Sequence, residues 1–182
     1  EVTTIILPAA DNFEFSRETL EDLDARLLLF LSKVREVTLQ HDEKKVTYRR
    51  RDKDGLSYLT TEARGPEAPP KTEENRYVRV AVDFPMTEFP DEKRLGVLKS
   101  SLVLAFPVDS DGAASPEPSS KVFAFLPIRQ VGFKFSIQAD FILSSSREDI
   151  LTDRPWNKFL RVAISAAFKI AISSFKKTDE LA

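Results

Sequence analysis

Two apolar runs and the turn behind them decide the fold: Val122-Phe-Ala-Phe-Leu-Pro-Ile-Arg129, Phe133-Lys-Phe-Ser-Ile-Gln-Ala-Asp-Phe-Ile-Leu143 and Ser144-Ser-Ser-Arg-Glu-Asp149. Both runs are rich in aromatic and β-branched residues, which predicts two adjacent buried strands. The polar turn leads into the longest apolar helix of the chain. Arg147 therefore lies where a strand hands over to a helix, a place where folds often present groups to ligands or partner domains.

Composition limits the classes of function. The chain has 182 residues, 42% of them hydrophobic and 31% charged, which suits one globular domain or one domain plus a fragment. Its net charge of −2 gives no overall attraction to nucleic acid or acidic membranes. Without cysteine it has no disulfide or thiolate metal site. We expect no membrane partner and a cytoplasmic location, with the nucleus as the alternative.

The start of the chain resembles the middle of a strand. It reads Glu1-Val-Thr-Thr-Ile-Ile-Leu-Pro8, and the only methionine is Met86. We therefore expect this chain to be an excised piece of a longer polypeptide.

The remaining patterns predict alternating segments of helix, strand and loop. Leucines at helical spacing predict a helix over residues 16–35, and Pro155 with a long apolar stripe predicts another over 155–177. Period-two alternation predicts a meander of three strands over 36–63. Glycine, proline and charge predict a solvated loop at 64–75 and a flexible connector at 109–120.

Candidate chemistry outside the organising segment is sparse. The single His41 falls in a charged turn, so a triad or a histidine metal site is a poor interpretation. The five glycines are scattered singly and form no phosphate-binding loop. The cluster Arg49-Arg50-Arg51 suits phosphates, but acidic neighbours favour a solvated hairpin tip, and we do not expect a nucleic-acid partner.

Arg147 admits two interpretations from the residues alone. A cation near a helix N-terminus opposes the helix dipole, so its placement suggests an anionic partner. The simpler interpretation is a salt bridge to Glu148, Asp149 or Asp153.

Several motifs of the chain resemble one family. The two apolar runs, then Ser145-Ser-Arg-Glu148 and Pro155-Trp-Asn157, resemble the segment that follows the ATPase domain in sacsin and the plant NO VEIN proteins. In those proteins the ATPase domain is similar to that of heat-shock protein 90. Thr3-Thr-Ile-Ile-Leu-Pro8 is similar to the last strand of such a domain, and Leu27-Leu-Leu-Phe-Leu31 to the helix that follows it. The middle of the chain, 42–121, matches little.

The resemblance implies a module that acts as the chaperone's middle domain. In the heat-shock protein 90 family a Ser-Arg-Glu motif supplies an arginine that contacts the terminal phosphate of ATP in the neighbouring domain. Ser146, Arg147 and Glu148 match that motif, so Arg147 is the implied catalytic arginine, acting on ATP bound elsewhere. Such a contact also favours a closed arrangement of the two domains when ATP is bound.

A second copy of the motif competes with the first. Ser16-Arg17-Glu18 has the same three residues and also precedes a predicted helix. Its upstream strand is the one assigned to the ATPase domain, so Arg147 is the better match. The ATPase domain's own Asn, Asp and Gly motifs are absent from this sequence. We therefore expect no enzymatic activity and no cofactor in the fragment, whereas the resemblance implies ATP and magnesium for its parent.

These inferences predict an α+β domain, with a largely antiparallel sheet packed by the 16–35 and 155–177 helices. Residues 1–12 would be the last strand and linker of the upstream ATPase domain, and 13–182 the middle-like domain. The expected function is to couple ATP binding to conformational change and chaperone-type activity, with the upstream domain and client proteins as partners. The alternative is a protein-interaction module without a nucleotide role, which receives a peptide at the 64–75 and 109–120 loops or at a sheet edge.

Overall fold

One mixed sheet dominates the chain. The computed structural model describes Thr3 and residues 23–66, 68–118 and 120–179. Eight strands form the sheet in the order β1-β2-β3-β4-β5-β8-β6-β7. They are β1 (Glu36–His41), β2 (Lys44–Lys53), β3 (Leu56–Gly65), β4 (Ala68–Pro85), β5 (Lys99–Val108), β6 (Lys121–Ala124), β7 (Leu126–Gln130) and β8 (Ser136–Gln138). Every pairing is antiparallel except that of β6 with β8.

Helices are few in the described residues. Two short 3-10 helices, Ala25–Leu29 and Glu92–Arg94, accompany a single α-helix, α1 (Pro155–Asp179). The predicted fold, a sheet packed by two main helices, is therefore wrong. None of the described helices combines the length and apolar character that crossing a bilayer requires.

The predicted α-helix over 16–35 is absent from the described part of that range, and the contacts of the segment explain why. Residues 16–22 lie outside the described part, and the rest of the range forms only the 3-10 helix Ala25–Leu29. Buried Arg50 of β2 donates to the carbonyls of Leu28 and Leu31, and Arg79 of β4 donates to that of Leu29 at 2.8 Å. These carbonyls would serve the next helical turn, so the two arginines compete with α-helix formation.

The sheet has a separate core on each face. Leu104 of β5 and Val122 of β6 belong to the core under α1, which contains Trp156 and Leu160. The next residues along each strand, Ala105 and Phe123, belong to a second core, built around Leu27–Leu29. Since neighbouring residues of a strand point to opposite faces, α1 covers one face and the 3-10 helix the other.

Residues 64–75 are not the loop that their composition predicts. β3 continues to Gly65 and β4 starts at Ala68, so most of this range belongs to a long hairpin arm. β5 pairs with β4 only from Arg76 onward, so that one edge of the arm has no strand partner among the described residues. Pro69 and Pro70 lie at a register shift near the tip, where a missing N–H costs little.

The first of the two organising runs also departs from its prediction. It breaks at Phe125, which has φ of 65°, and the chain turns back so that β6 and β7 form a hairpin. β6 then lies parallel to β8, which covers only three residues of the second run. The two runs are thus three short strands. The predicted domain boundary between residues 12 and 13 lies outside the described residues.

Candidate functional site

The Ser-Arg-Glu motif lies in a tight turn between β8 and α1. Leu143 and Ile150 form an isolated antiparallel bridge, and the Ser144 N–H donates to the Asp149 carbonyl at 2.9 Å. The Arg147 N–H donates to the Ser144 carbonyl at 3.0 Å. The motif is thus at the tip of a closed turn, and the helix begins only at Pro155.

The base of this turn is fixed by the start of α1. Asn157 is buried, and its Oδ1 accepts from the Ile142 N–H at 2.9 Å. Its Nδ2 donates to the carbonyls of Ile142 and Leu151, at 2.8 Å each. Trp156 Nε1 donates to the Asp140 carbonyl at 2.9 Å. The residues Trp156 and Asn157 therefore hold both ends of the turn on the helix.

Arg147 itself is exposed and strained. Its φ is 62°, in the left-handed region that a non-glycine residue rarely occupies. Its guanidinium has no hydrogen bond or ion pair with any residue that the structure describes. The simple interpretation of Arg147, a salt bridge to Glu148, Asp149 or Asp153, is not what this geometry gives.

The neighbours of Arg147 are arranged differently. Asp149 pairs instead with Arg129 of β7, whose Nη1 lies 3.0 Å from Asp149 Oδ1. Ser146 Oγ lies 3.1 Å from Ser144 Oγ, and Glu148 is exposed. The three motif residues are thus adjacent at the tip, with the arginine available to an external anion. The competing Ser16, Arg17 and Glu18 lie outside the described residues.

The arginine cluster of β2 is divided between different environments. Arg50 is buried against the 3-10 helix, as described above. Arg49 Nε lies 2.7 Å from Glu36 Oε2, and Arg51 stacks over Tyr58 with 5.4 Å between guanidinium carbon and ring centre. The three side chains therefore do not form one cationic surface. The three arginines lie within β2 rather than at the hairpin tip, because the turn falls at Asp54 and Gly55, with φ of 51° and 77°.

A network of charges joins the 3-10 helix to the sheet. Asp24 Oδ2 lies 2.8 Å from Arg26 Nη2 and 3.2 Å from Lys121 Nζ. Glu117, in the predicted connector, accepts from Arg26 at 2.9 Å and from the hydroxyl of buried Tyr77 at 2.5 Å. The segment 109–120 is thus tied down at Glu117. Sequence analysis missed this network because its members are far apart in the chain.

The network perturbs its own ionisable groups. Burial alone would raise the pKa of the Asp24 carboxyl, but hydrogen bonds and charges from Arg26 and Lys121 outweigh it and hold that pKa below its ordinary value. Burial, with the hydrogen bond to Glu117, raises the pKa of Tyr77 far above its ordinary value. A cavity of about 440 Å³ adjoins these side chains. In the described part of the chain no group of His, Cys, Asp and Glu side chains could hold a metal ion.

Comparison with known proteins supports part of the resemblance. Over 54 residues, 30% of this chain, the sequence is 56% identical to Protein NO VEIN of Arabidopsis thaliana. The match covers 2% of that protein, so the chain spans a very small share of its length. No protein-family model and no solved structure matches the chain. The chain is thus similar to NO VEIN, and its placement as a heat-shock protein 90 middle domain has no support from these comparisons.

Proposed function

We propose that this chain is a non-catalytic coupling module of a longer NO VEIN-like protein. In that protein an upstream ATPase domain binds ATP with magnesium, residues 1–12 end that domain, and residues 13–182 respond to its nucleotide state. Arg147 contacts the terminal phosphate of ATP when the two parts close. The response drives conformational change and chaperone-type activity on client proteins.

The free Arg147 guanidinium is the observation that carries this proposal. A non-glycine residue in the left-handed backbone region is strained, and such strain persists where the surrounding structure fixes the backbone conformation. Here Asn157 and Trp156 fix the turn, while the side chain of Arg147 has no hydrogen bond or ion pair with a described residue. Its position therefore suits a partner outside the domain, and phosphate is a good match for guanidinium.

Steady-state ATP hydrolysis tests the proposal in a protein extended upstream through the ATPase domain. We expect Arg147→Ala to lower turnover by about tenfold or more, which is about 1.4 kcal/mol of transition-state stabilisation, while nucleotide binding survives. Arg17→Ala should keep the wild-type rate. Lys134→Ala is the matched control, because Lys134 is another exposed cation without a described partner. Unchanged turnover in Arg147→Ala would contradict the proposal.

A second candidate is an interaction module that adds a peptide strand at β7. This strand ends the sheet, and Leu126 at its start is 55% exposed. Phe125, Val131 and Phe133 nearby are also exposed. The Phe125 N–H donates to Oε1 of buried Gln138 at 2.7 Å. Edge strands with exposed apolar side chains can receive an extended segment. Here Leu126→Asp would weaken peptide binding, and Arg147→Ala would change nothing.

A further inference from the structure

The outer face of α1 exposes large apolar side chains. Trp156, Leu160 and Ala163 are buried on the inner face, against the sheet. Val162, on the opposite side, is 65% exposed, and Ile170, at the border of the buried face, is 45% exposed. A helix that packs on one side and remains apolar on the other has a face available for a partner.

Two ridges run side by side along this outer face. Val162, Ala166 and Ile170 are spaced four residues apart and form an apolar ridge. The neighbouring ridge contains, at the same spacing, Arg161, Ser165, Lys169 and Ser173, all of them exposed. Small residues between larger ones leave grooves, and such grooves accept the ridges of another helix.

The serine hydroxyls of this region are already bonded to the helix. Ser165 Oγ donates to the Val162 carbonyl at 2.8 Å, and Ser173 Oγ donates to the Lys169 carbonyl at 3.0 Å. Ser174 Oγ donates to the Ile170 carbonyl at 3.0 Å. A hydroxyl with an internal partner loses less on burial than one that depends on water. The serines therefore do not oppose removal of this face from solvent.

The charge on the outer face has one sign. Lys158, Arg161 and Lys169 are exposed, and none of them has an ion pair with a residue that the structure describes. The sequence from Pro155 to Phe175 contains no Asp or Glu. A second copy of the same face would bring cations against cations, so the complementary partner is acidic.

We propose that the outer face of α1 docks an acidic amphipathic helix of a partner polypeptide. The apolar side of the partner packs against Val162, Ala166 and Ile170, and its carboxylates face Arg161 and Lys169. In this mode of recognition an amphipathic helix lies in a groove of its partner, and its contacts repeat about every four residues. An anionic membrane fits less well, because the polar ridge of Arg161, Ser165 and Lys169 separates Val162 and Ile170 from the other exposed apolar side chains of the helix, Phe168 and Ile172. The inference is independent of the role of Arg147.

Binding of two synthetic helical peptides to the full chain tests this proposal by fluorescence anisotropy. Both peptides have about six turns and the same leucine and alanine ridge, flanked by glutamate in one and by lysine in the other. We expect the acidic peptide to bind about tenfold tighter or more. The double variant Arg161→Glu with Lys169→Glu should reverse that preference. Val162→Asp should weaken binding by about tenfold, whereas Leu95→Asp, at a site outside α1 that is 82% exposed, should not change it.

Several outcomes would overturn the proposal. They are equal affinity for the two peptides, no binding of either at about 100 μM, and binding that survives Val162→Asp. Tighter binding to phosphatidylserine vesicles than to the acidic peptide would assign the face to a membrane instead. Self-association of the chain that Val162→Asp abolishes, measured by sedimentation, would assign it to a second copy. Circular dichroism of each variant verifies that the fold is retained.

Discussion

Asn157 holds the main chain of Ile142 by two hydrogen bonds, one accepted from its N–H at 2.9 Å and one donated to its carbonyl at 2.8 Å. A third bond, to the Leu151 carbonyl, closes the base of the turn that presents Arg147. The amide is the side chain suited to this place, because it offers both an acceptor and two donors. The position of Arg147 thus depends on a buried side chain ten residues away.

Replacement of Asn157 should therefore loosen the turn and destabilise the domain. Asn157→Ala removes the hydrogen-bond partner of the Ile142 N–H and of the Leu151 carbonyl, whereas the Ile142 carbonyl still accepts from the Leu151 N–H at 3.1 Å. We expect the free energy of unfolding to fall by about 2 to 4 kcal/mol. Denaturant unfolding measures this, and hydrogen exchange at Ile142 reports the local effect. Asn75→Ala, at an exposed position of β4, should cost less than about 0.5 kcal/mol. Similar costs for both variants would mean that the turn does not depend on Asn157.

The left-handed conformation of Arg147 should make the wild-type chain less stable than a variant with glycine at this position. Glycine adopts a φ of 62° without strain, so Arg147→Gly should raise the free energy of unfolding by about 1 kcal/mol. The same change should abolish the coupling of the extended protein to ATP. Ser146→Gly, at a neighbouring position without positive φ, should not stabilise the chain. A loss of stability in Arg147→Gly would show that the side chain has a structural role.

Buried Arg50 should contribute far more to stability than its neighbour in the arginine cluster. Arg50→Ala frees the carbonyls of Leu28 and Leu31 and empties a buried site, and we expect a loss of about 3 kcal/mol. Arg51→Ala removes only an exposed contact with Tyr58 and should cost less than about 1 kcal/mol. Denaturant unfolding of both variants makes the comparison. Equal losses would refute the division of the cluster.

The network around Tyr77 should make the domain sensitive to alkali. The folded state raises the pKa of Tyr77, so the unfolded chain releases that proton first as the pH rises through about 10. The stability is therefore complete below that pH and falls above it. Tyr77→Phe should lose less stability than wild type between about pH 8 and pH 11. Parallel curves for wild type and Tyr77→Phe would exclude a role for this hydroxyl.

The acid side of the same network should show the opposite sign. The pKa of Asp24 is lowered in the folded state, so its contribution is present above the ordinary carboxylate pKa and is lost as the pH falls through the folded value. Asp24→Asn should therefore flatten the dependence of unfolding free energy on pH below about 4. Urea unfolding at several acid pH values measures it. A wild-type slope in Asp24→Asn would count against the network.

Local patterns in the sequence predicted those parts of the fold that local physics controls. Period-two alternation predicted the three-stranded meander over 36–63, which β1, β2 and β3 form. Pro155 and the apolar stripe gave the start of α1. In each case the pattern and the structure rest on the same short-range preferences.

Long-range contacts decided the rest. Leu23, Leu27 and Leu31 have helical spacing. Arg50 and Arg79, however, donate to three main-chain carbonyls of this segment, those of Leu28, Leu29 and Leu31. The prolines and charged residues of 64–75 suggest a loop, yet β3 and β4 pair along most of this range. For the candidate site, the sequence motif indicated Arg147. Its positive φ, the lack of a side-chain partner among the described residues and its anchor Asn157 appear only in three dimensions.

Hydrogen exchange in the turn tests the proposed contact of Arg147 most directly. The measurement uses the protein extended through its ATPase domain, loaded either with a non-hydrolysable ATP analogue or with ADP. We expect the amides of residues 144–149 to exchange more slowly with the ATP analogue than with ADP, and Arg147→Ala to remove the difference. Identical exchange in the two nucleotide states, with both nucleotides shown to be bound, would contradict it.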